Sequence, residues 1–301
     1  MLVKKISCIA FLLLIRYSLP AQTDSLMQML NDSLSAAGGS TIVTGTFKAT
    51  HVINMQTIES PGAGALNFVI QHRFGQLNSG SYNFFGLDNA SLRLGLEYGL
   101  TDRLAIGIGR SSVQKTFDGS IKYKLLRQAT GASAVPVSLS LFGSISNYTQ
   151  HYVDKDYLNA NYRTAYTTQL LIARKFSSHL SVQIAPTYIH YNLVPTVNDR
   201  NDIFALGGGA RMKITNRMSI NVEYNYLLPD QLVSTDVHNS FSLGWDIETG
   251  GHVFQLVFSN SQSMIETQYI GQTTGRWNKG DIYFGFNISR NFNLSRRAKA
   301  Q

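Results

Sequence analysis

Beyond its first 21 residues, this sequence has no unbroken apolar run near the roughly 18–20 residues that a membrane-crossing helix requires. A transmembrane helix bundle is thereby excluded. A β-barrel is not, because strand alternation hides its lipid face from any hydropathy window. Cysteine is nearly missing: the single one, Cys8, lies in that first segment. The remainder can form no disulfide and do no thiol chemistry. Charged residues are only 15% of the chain, and 6 of its 301 residues are proline. No Lys/Arg cluster interleaved with aromatics occurs, so the net charge of +8 is no nucleic-acid footprint. Also missing are a Gly-x-Ser-x-Gly elbow, a His-Glu-x-x-His zinc helix, a phosphate loop and any Cys–His pair. No catalytic residue, cofactor or metal ligand is expected.

What is present begins with an export signal. Lys4 and Lys5 precede the apolar stretch Ile6–Ile15, and Leu19-Pro20-Ala21 offers a small-residue cleavage site before Gln22. Cys8 is not at that point, so no lipid anchor is expected. Losing Lys4, Lys5 and Arg16 with residues 1–21 lowers the net charge from +8 to +5. Residues 22–45 read as a periplasmic N-terminal extension in which Leu26, Leu30 and Leu34 fall at helical spacing. That stretch is either a short amphipathic helix or a disordered leader. Residues 46–54 alternate Phe47, Ala49, His51 and Ile53 against Lys48, Thr50 and Val52. They form either a strand or a segment tucked inward.

The remainder alternates with period two, the repeat that sends successive side chains to opposite faces of a strand. Leu92, Leu94, Leu96 and Tyr98 oppose Ser91, Arg93, Gly95, Glu97 and Gly99. Met218, Ile220, Val222, Tyr224 and Tyr226 oppose Ser219, Asn221, Glu223 and Asn225. The same template predicts about twelve strands: 65–75, 91–100, 103–112, 117–127, 135–146, 163–176, 179–192, 201–214, 217–228, 239–249, 251–260 and 280–292. Short turns such as 101–102, 177–178, 215–216 and 250–251 alternate with longer polar links, as in outer-membrane barrels. Aromatics gather at strand ends: Phe74, Tyr98, Tyr123, Phe176, Tyr188, Tyr224, Tyr226, Trp245 and Phe292. Interfacial girdles are built this way. The expected fold is all-β, a single antiparallel up-and-down transmembrane β-barrel over residues 46–292, with a C-terminal tail at 293–301. The competing fold is a soluble periplasmic sandwich, in which the Leu92/Leu94/Leu96 parity would face a protein core.

Three stretches, Thr46-Phe-Lys-Ala-Thr-His-Val-Ile-Asn54, Asn67-Phe-Val-Ile-Gln-His-Arg-Phe-Gly75 and Phe85-Gly-Leu-Asp88, resemble an uncharacterised outer-membrane β-barrel family of Bacteroidota, domain of unknown function 5777. Gly275-Arg-Trp-Asn-Lys-Gly-Asp-Ile-Tyr-Phe-Gly-Phe-Asn-Ile-Ser-Arg290 is similar to that family's C-terminal end. The resemblance covers roughly residues 45–292. It implies a barrel in the outer membrane of a Gram-negative cell and brings no activity with it.

Two sets of residues are candidates for function. The polar parity offers Arg93, Glu97, Lys122, Lys124, Arg211, Lys213, Glu223, Asp246 and Glu248 to a lumen. Arg93/Glu97 and Arg211/Lys213/Glu223 are expected to pair across it, as a plug or as a selective constriction, with the plug favoured because about twelve strands leave little free cross-section. Long loops carry His151, Asp154 and Asp156 together, and Asp230, Asp236 and His238 together. Gly207-Gly208-Gly209 lies within a strand, where it relieves crowding or curves the wall. The leading functional expectation is a channel or small-solute transporter. The alternatives are a barrel enzyme acting on envelope substrates and a structural or docking barrel for a periplasmic partner. Lipid and the barrel-assembly machinery complete the expected partners.

Overall fold

The computed structural model describes Met29 and residues 39–294. The signal at 1–21, the leucine-spaced part of the extension and the end of the C-terminal tail lie outside the described residues. A small unit pairs β1 (Ser40–Ile42) antiparallel with β6 (Ala129–Gly131), Thr41 opposite Thr130.

The other unit is a closed barrel of twelve antiparallel strands. Its wall runs β2 (Ala65–Gln76), β3 (Ala90–Gly99), β4 (Leu104–Ser111), β5 (Thr116–Leu126), β7 (Ser138–Tyr148), β8 (Thr164–Lys175) and β9 (Leu180–Tyr191). It continues through β10 (Asp202–Lys213), β11 (Met218–Leu227), β12 (Ser240–Thr249), β13 (His252–Ser259) and β14 (Tyr283–Asn293). Sequence neighbours pair all the way round, and β14 closes on β2 with Ile288 opposite Ile70. Closure removes every unpaired edge, which a strand wall in lipid demands.

Burial follows the period of two. Leu92, Leu94, Leu96, Ile220, Trp245 and Leu256 are exposed on the outside, while Ser91, Arg93, Ser219, Asp246 and Gln255 are buried within. The apolar parity therefore faces outward, and the sandwich alternative fails on this point. Tyr123, Phe176, Tyr188, Tyr224, Tyr226, Trp245 and Phe292 stand on the outer face. Short turns close one end of the barrel, apart from the 127–137 connection that carries β6, and the short 112–115 link lies at the other end. The other end carries the connections 77–89, 149–163, 192–201, 228–239 and 260–282. Among the described residues no helix is long and apolar enough to cross a membrane.

The wall begins at Ala65, and residues 46–60 are not part of it. That segment turns inward as a hairpin bridged by His51 and Gln56, and Val52 N–H donates to the Met55 carbonyl at 2.8 Å. From the opposite end, residues 260–276 fold inward around a single helical turn, α1 (Glu266–Gly271), all six residues of which are buried. Of the two options for 46–54, the inward tuck is the one adopted.

Candidate functional site

The hairpin is seated by both faces of its chemistry. Phe47, Val52, Ile53, Met55 and Ile58 are buried against the lumen-facing Phe142, Leu171, Ala173, Ala185 and Val257. Burying side chains of this size stabilises by about 1.5–3 kcal/mol apiece. Room for them comes from the glycines of β10. A Cβ on Gly207 would fall 2.6 Å from Met55 Sδ, and one on Gly209 would fall 2.7 Å from Met55 Cε and 3.0 Å from Val52 Cγ2.

The hairpin's backbone polar groups are met by the wall. Oε2 of Glu223 accepts the N–H groups of Ile53 (3.0 Å), Asn54 (2.8 Å) and Met55 (2.8 Å). Successive N–H groups converging on one oxygen form an anion-binding nest, here filled by a wall carboxylate. Gln255 and Asn287 donate to the carbonyls of Val52 (2.8 Å) and Ile53 (2.9 Å). Gln183 both accepts from Ile58 N–H and donates to the Gln56 carbonyl. Arg73 holds Asn54 Oδ1 at 2.7 Å and Asn287 Oδ1 at 2.8 Å. At the tip, Gln56 Nε2 donates to Glu266 Oε1 at 3.1 Å, so the two inward segments touch.

Of the expected lumen residues, Arg93, Lys122, Arg211, Glu223 and Asp246 are buried, while Glu97, Lys124, Lys213 and Glu248 are half-buried on the same parity. Their partners differ from the expected ones. Arg93 donates to Asp118 at 3.0 and 2.5 Å and to Gln71 at 3.1 Å, while Glu97 accepts from Asn67 at 2.8 Å. Arg211 pairs with Glu248 at 2.7 Å, and Glu248 also holds Lys48 of the entering chain at 2.9 Å. Glu223 is turned to the hairpin and Lys122 donates to the Glu59 carbonyl at 3.0 Å. Asp246 accepts from Gln255 at 2.6 Å. The charges thus pair with close neighbours on the wall or with the hairpin, because a filled lumen leaves no gap for pairs to cross. Asp118, Gln71, Arg73 and Asn287 also lie on the polar parity, so alternation alone could have nominated them.

His151, Asp154 and Asp156 are exposed on the 149–163 loop. Asp236 and His238 are brought together by Arg276, which donates to Asp236 and, through Nε, to His238 Nε2 at 2.5 Å. The hydrogen bond from Arg276 holds the Asp236 carboxyl below the usual carboxylate range. That cluster is a clasp between loops. Its His nitrogen is occupied, and its carboxylate is a weaker base than an ordinary one. Among the described residues no group of three or more His, Cys, Asp or Glu side chains could hold a metal.

Among the described residues, the larger spaces in the barrel lie at its two ends. Beneath the hairpin is a cavity of about 400 Å³ near Lys48, Glu59 and Asn67. Above it, at the long-loop end, is one of about 570 Å³ near Tyr148, Arg163 and Gln268. Beside the hairpin the voids are about 20 and 10 Å³, the size of single waters.

A family model described as a membrane-bound β-barrel domain, DUF5777, matches residues 47–292. No curated protein matches the chain in sequence. Solved structures similar to it include the NanC porin, 9% identical over 76% of this chain and 100% of that one, with a TM-score of 0.47. The KdgM porin is 8% identical over 76% and 99% of the two chains, with a TM-score of 0.45. The COG4313 outer membrane channel from Pseudomonas putida F1 is 14% identical over 78% and 97%, also at 0.45. At such identities and scores each is a likeness of shape and carries no statement about what crosses the wall.

Proposed function

The chain belongs to the DUF5777 family of membrane-bound β-barrel domains, and from that premise we propose that it is an outer-membrane channel for small polar solutes, closed by the 46–60 hairpin. The observation that carries this reading is that the lumen is stopped by two inserted segments, not by the wall's own side chains. A barrel serving only as a structural post could fill its interior from the wall, as small barrels do. Here the wall presents a hydrogen-bonding lining broken by one apolar patch that the hairpin covers, and open space remains at both ends. The residue 1–21 pattern supports export, and an even strand number sets both wall termini at the short-turn end. On that reading the short turns are periplasmic, the long loops face outward, and the barrel-assembly machinery is the partner in biogenesis.

The test is conductance in a planar bilayer, comparing the intact chain with a chain lacking residues 46–60. The intact protein is expected to be silent or to open rarely, and the shortened one to give long-lived steps. Folding of both is checked by the upward shift of the gel band on boiling. A shortened chain that folds yet carries no current would sink the channel reading. It would favour a docking barrel for a periplasmic partner.

A further inference from the structure

We propose that the 570 Å³ cavity at the long-loop end is a saccharide-binding site, its tyrosines stacking against sugar rings and Gln268 taking a hydroxyl. The volume lies within the roughly 300–1,000 Å³ of small-molecule sites. Its lining includes Tyr148, Tyr152, Tyr157, Tyr162 and Tyr191, an aromatic density unlike the rest of the lumen. One face of the Tyr148 ring is covered by the Arg163 guanidinium at 5.5 Å, and one face of Tyr152 by the Lys155 ammonium at 5.3 Å. Cations so placed orient the rings. Tyr157 and Tyr162 stand exposed at the mouth.

Deeper in, Gln268 is 2% exposed. Its Nε2 donates to Thr116 Oγ1 at 3.0 Å and to Gln114 Oε1 at 3.2 Å, which fixes the amide, while its Oε1 has no partner. A buried amide oxygen left without a donor costs free energy, and because it has almost no accessible surface, a ligand O–H pairs with it only when the side chains around it part.

The remaining chemistry narrows the class. Among the described residues no Asp or Glu lines the cavity, so an amine or peptide N-terminus meets no counter-charge from them. Arg163 donates to the carbonyls of Gln150 (2.7 Å) and Leu158 (3.1 Å), which ties it to the loop and leaves Lys155 as the cation for an acidic group. A purely apolar solute would leave the Gln268 oxygen unpaired. A polyhydroxylated ring with an apolar face satisfies the tyrosines and the amide together. The positive lining accepts neutral sugars and also sugar acids.

This site deepens the channel reading, on which it rests for the direction of entry, but its test measures binding without transport. Calorimetry on the full chain in lauryldimethylamine oxide, since a maltoside detergent would compete, uses maltotriose and trigalacturonic acid as probes. Binding of either one is expected, weakened at least tenfold by Tyr152→Ala with Tyr157→Ala and by Gln268→Leu. If the acid binds and maltotriose does not, Lys155→Gln is expected to remove most of the difference. Heat-modifiable migration of each variant shows that it is folded. Absence of binding by both probes at millimolar concentration overturns the proposal, as does affinity unchanged within twofold in the folded Tyr152/Tyr157 variant. A chain that binds sugar without conducting, or conducts without binding it, separates the two readings.

Discussion

At the scale of single residues, Asp199 shows how the outer loops are held. It is buried, and Oδ1 accepts the N–H groups of Val233 (2.8 Å) and Ser234 (2.9 Å). Oδ2 accepts from Thr196 N–H (3.0 Å), Thr196 Oγ1 (2.8 Å) and the Ser234 hydroxyl. Burial opposes ionisation, but these donors outweigh it and hold the carboxyl below the ordinary carboxylate range. A depressed folded value means that the stabilisation is fully present above the unfolded value, near pH 4 for an aspartate, and is lost as pH falls through the folded value. Asp199→Ala is expected to loosen the tie between loops 192–201 and 228–239 at every pH above that window, by about 2–3 kcal/mol. Hydrogen exchange at Val233 and Ser234 would register it. Unchanged protection at pH 7 would show that the loops are held by something else.

At the scale of elements, the hairpin and β10 are shaped to each other, and Gly207-Gly208-Gly209 supplies an internal control. Gly207 and Gly209 face the lumen beneath Met55 and Val52, whereas an added Cβ at Gly208 would meet nothing closer than the Tyr224 carbonyl at 3.9 Å. Gly207→Val and Gly209→Val are expected to lift the hairpin, exposing the Lys48 bond to trypsin and raising conductance. Gly208→Ala is expected to do neither. Equal behaviour of all three variants would mean that the glycines serve wall curvature, not the hairpin. The strands themselves were legible because alternation is a local signal, and most predicted bounds lie within two or three residues of those observed. The hairpin was not, because partners such as Glu223, Gln255 and Asn287 are more than a hundred residues away and its own nine-residue pattern suits a strand equally well. Yet a trace of it existed. Phe142, Leu171, Ala173, Ala185 and Val257 place apolar groups on the otherwise polar parity. A water-filled lumen gives no reason for that.

At the scale of the whole molecule, the question is whether the wall stands without what fills it. Apart from the end-of-strand shifts near Tyr283 and Lys124, the twelve pairings run in continuous register and involve no hairpin residue. The groups that the hairpin satisfies are polar: Glu223, Gln255, Asn287, Arg73 and Gln183. With the hairpin gone, water can reach and solvate them, so the main loss is the burial of five apolar side chains against a lumen patch. The chain lacking residues 46–60 is therefore expected to remain a barrel, still shifting on the gel when boiled. It should unfold at a lower temperature than the intact protein, because the buried hairpin stabilises only the folded form. Recovery of the shortened chain only as an unfolded band, while Gly209→Val folds, would place the hairpin among the elements required to build the wall. A gate could not then be made of it.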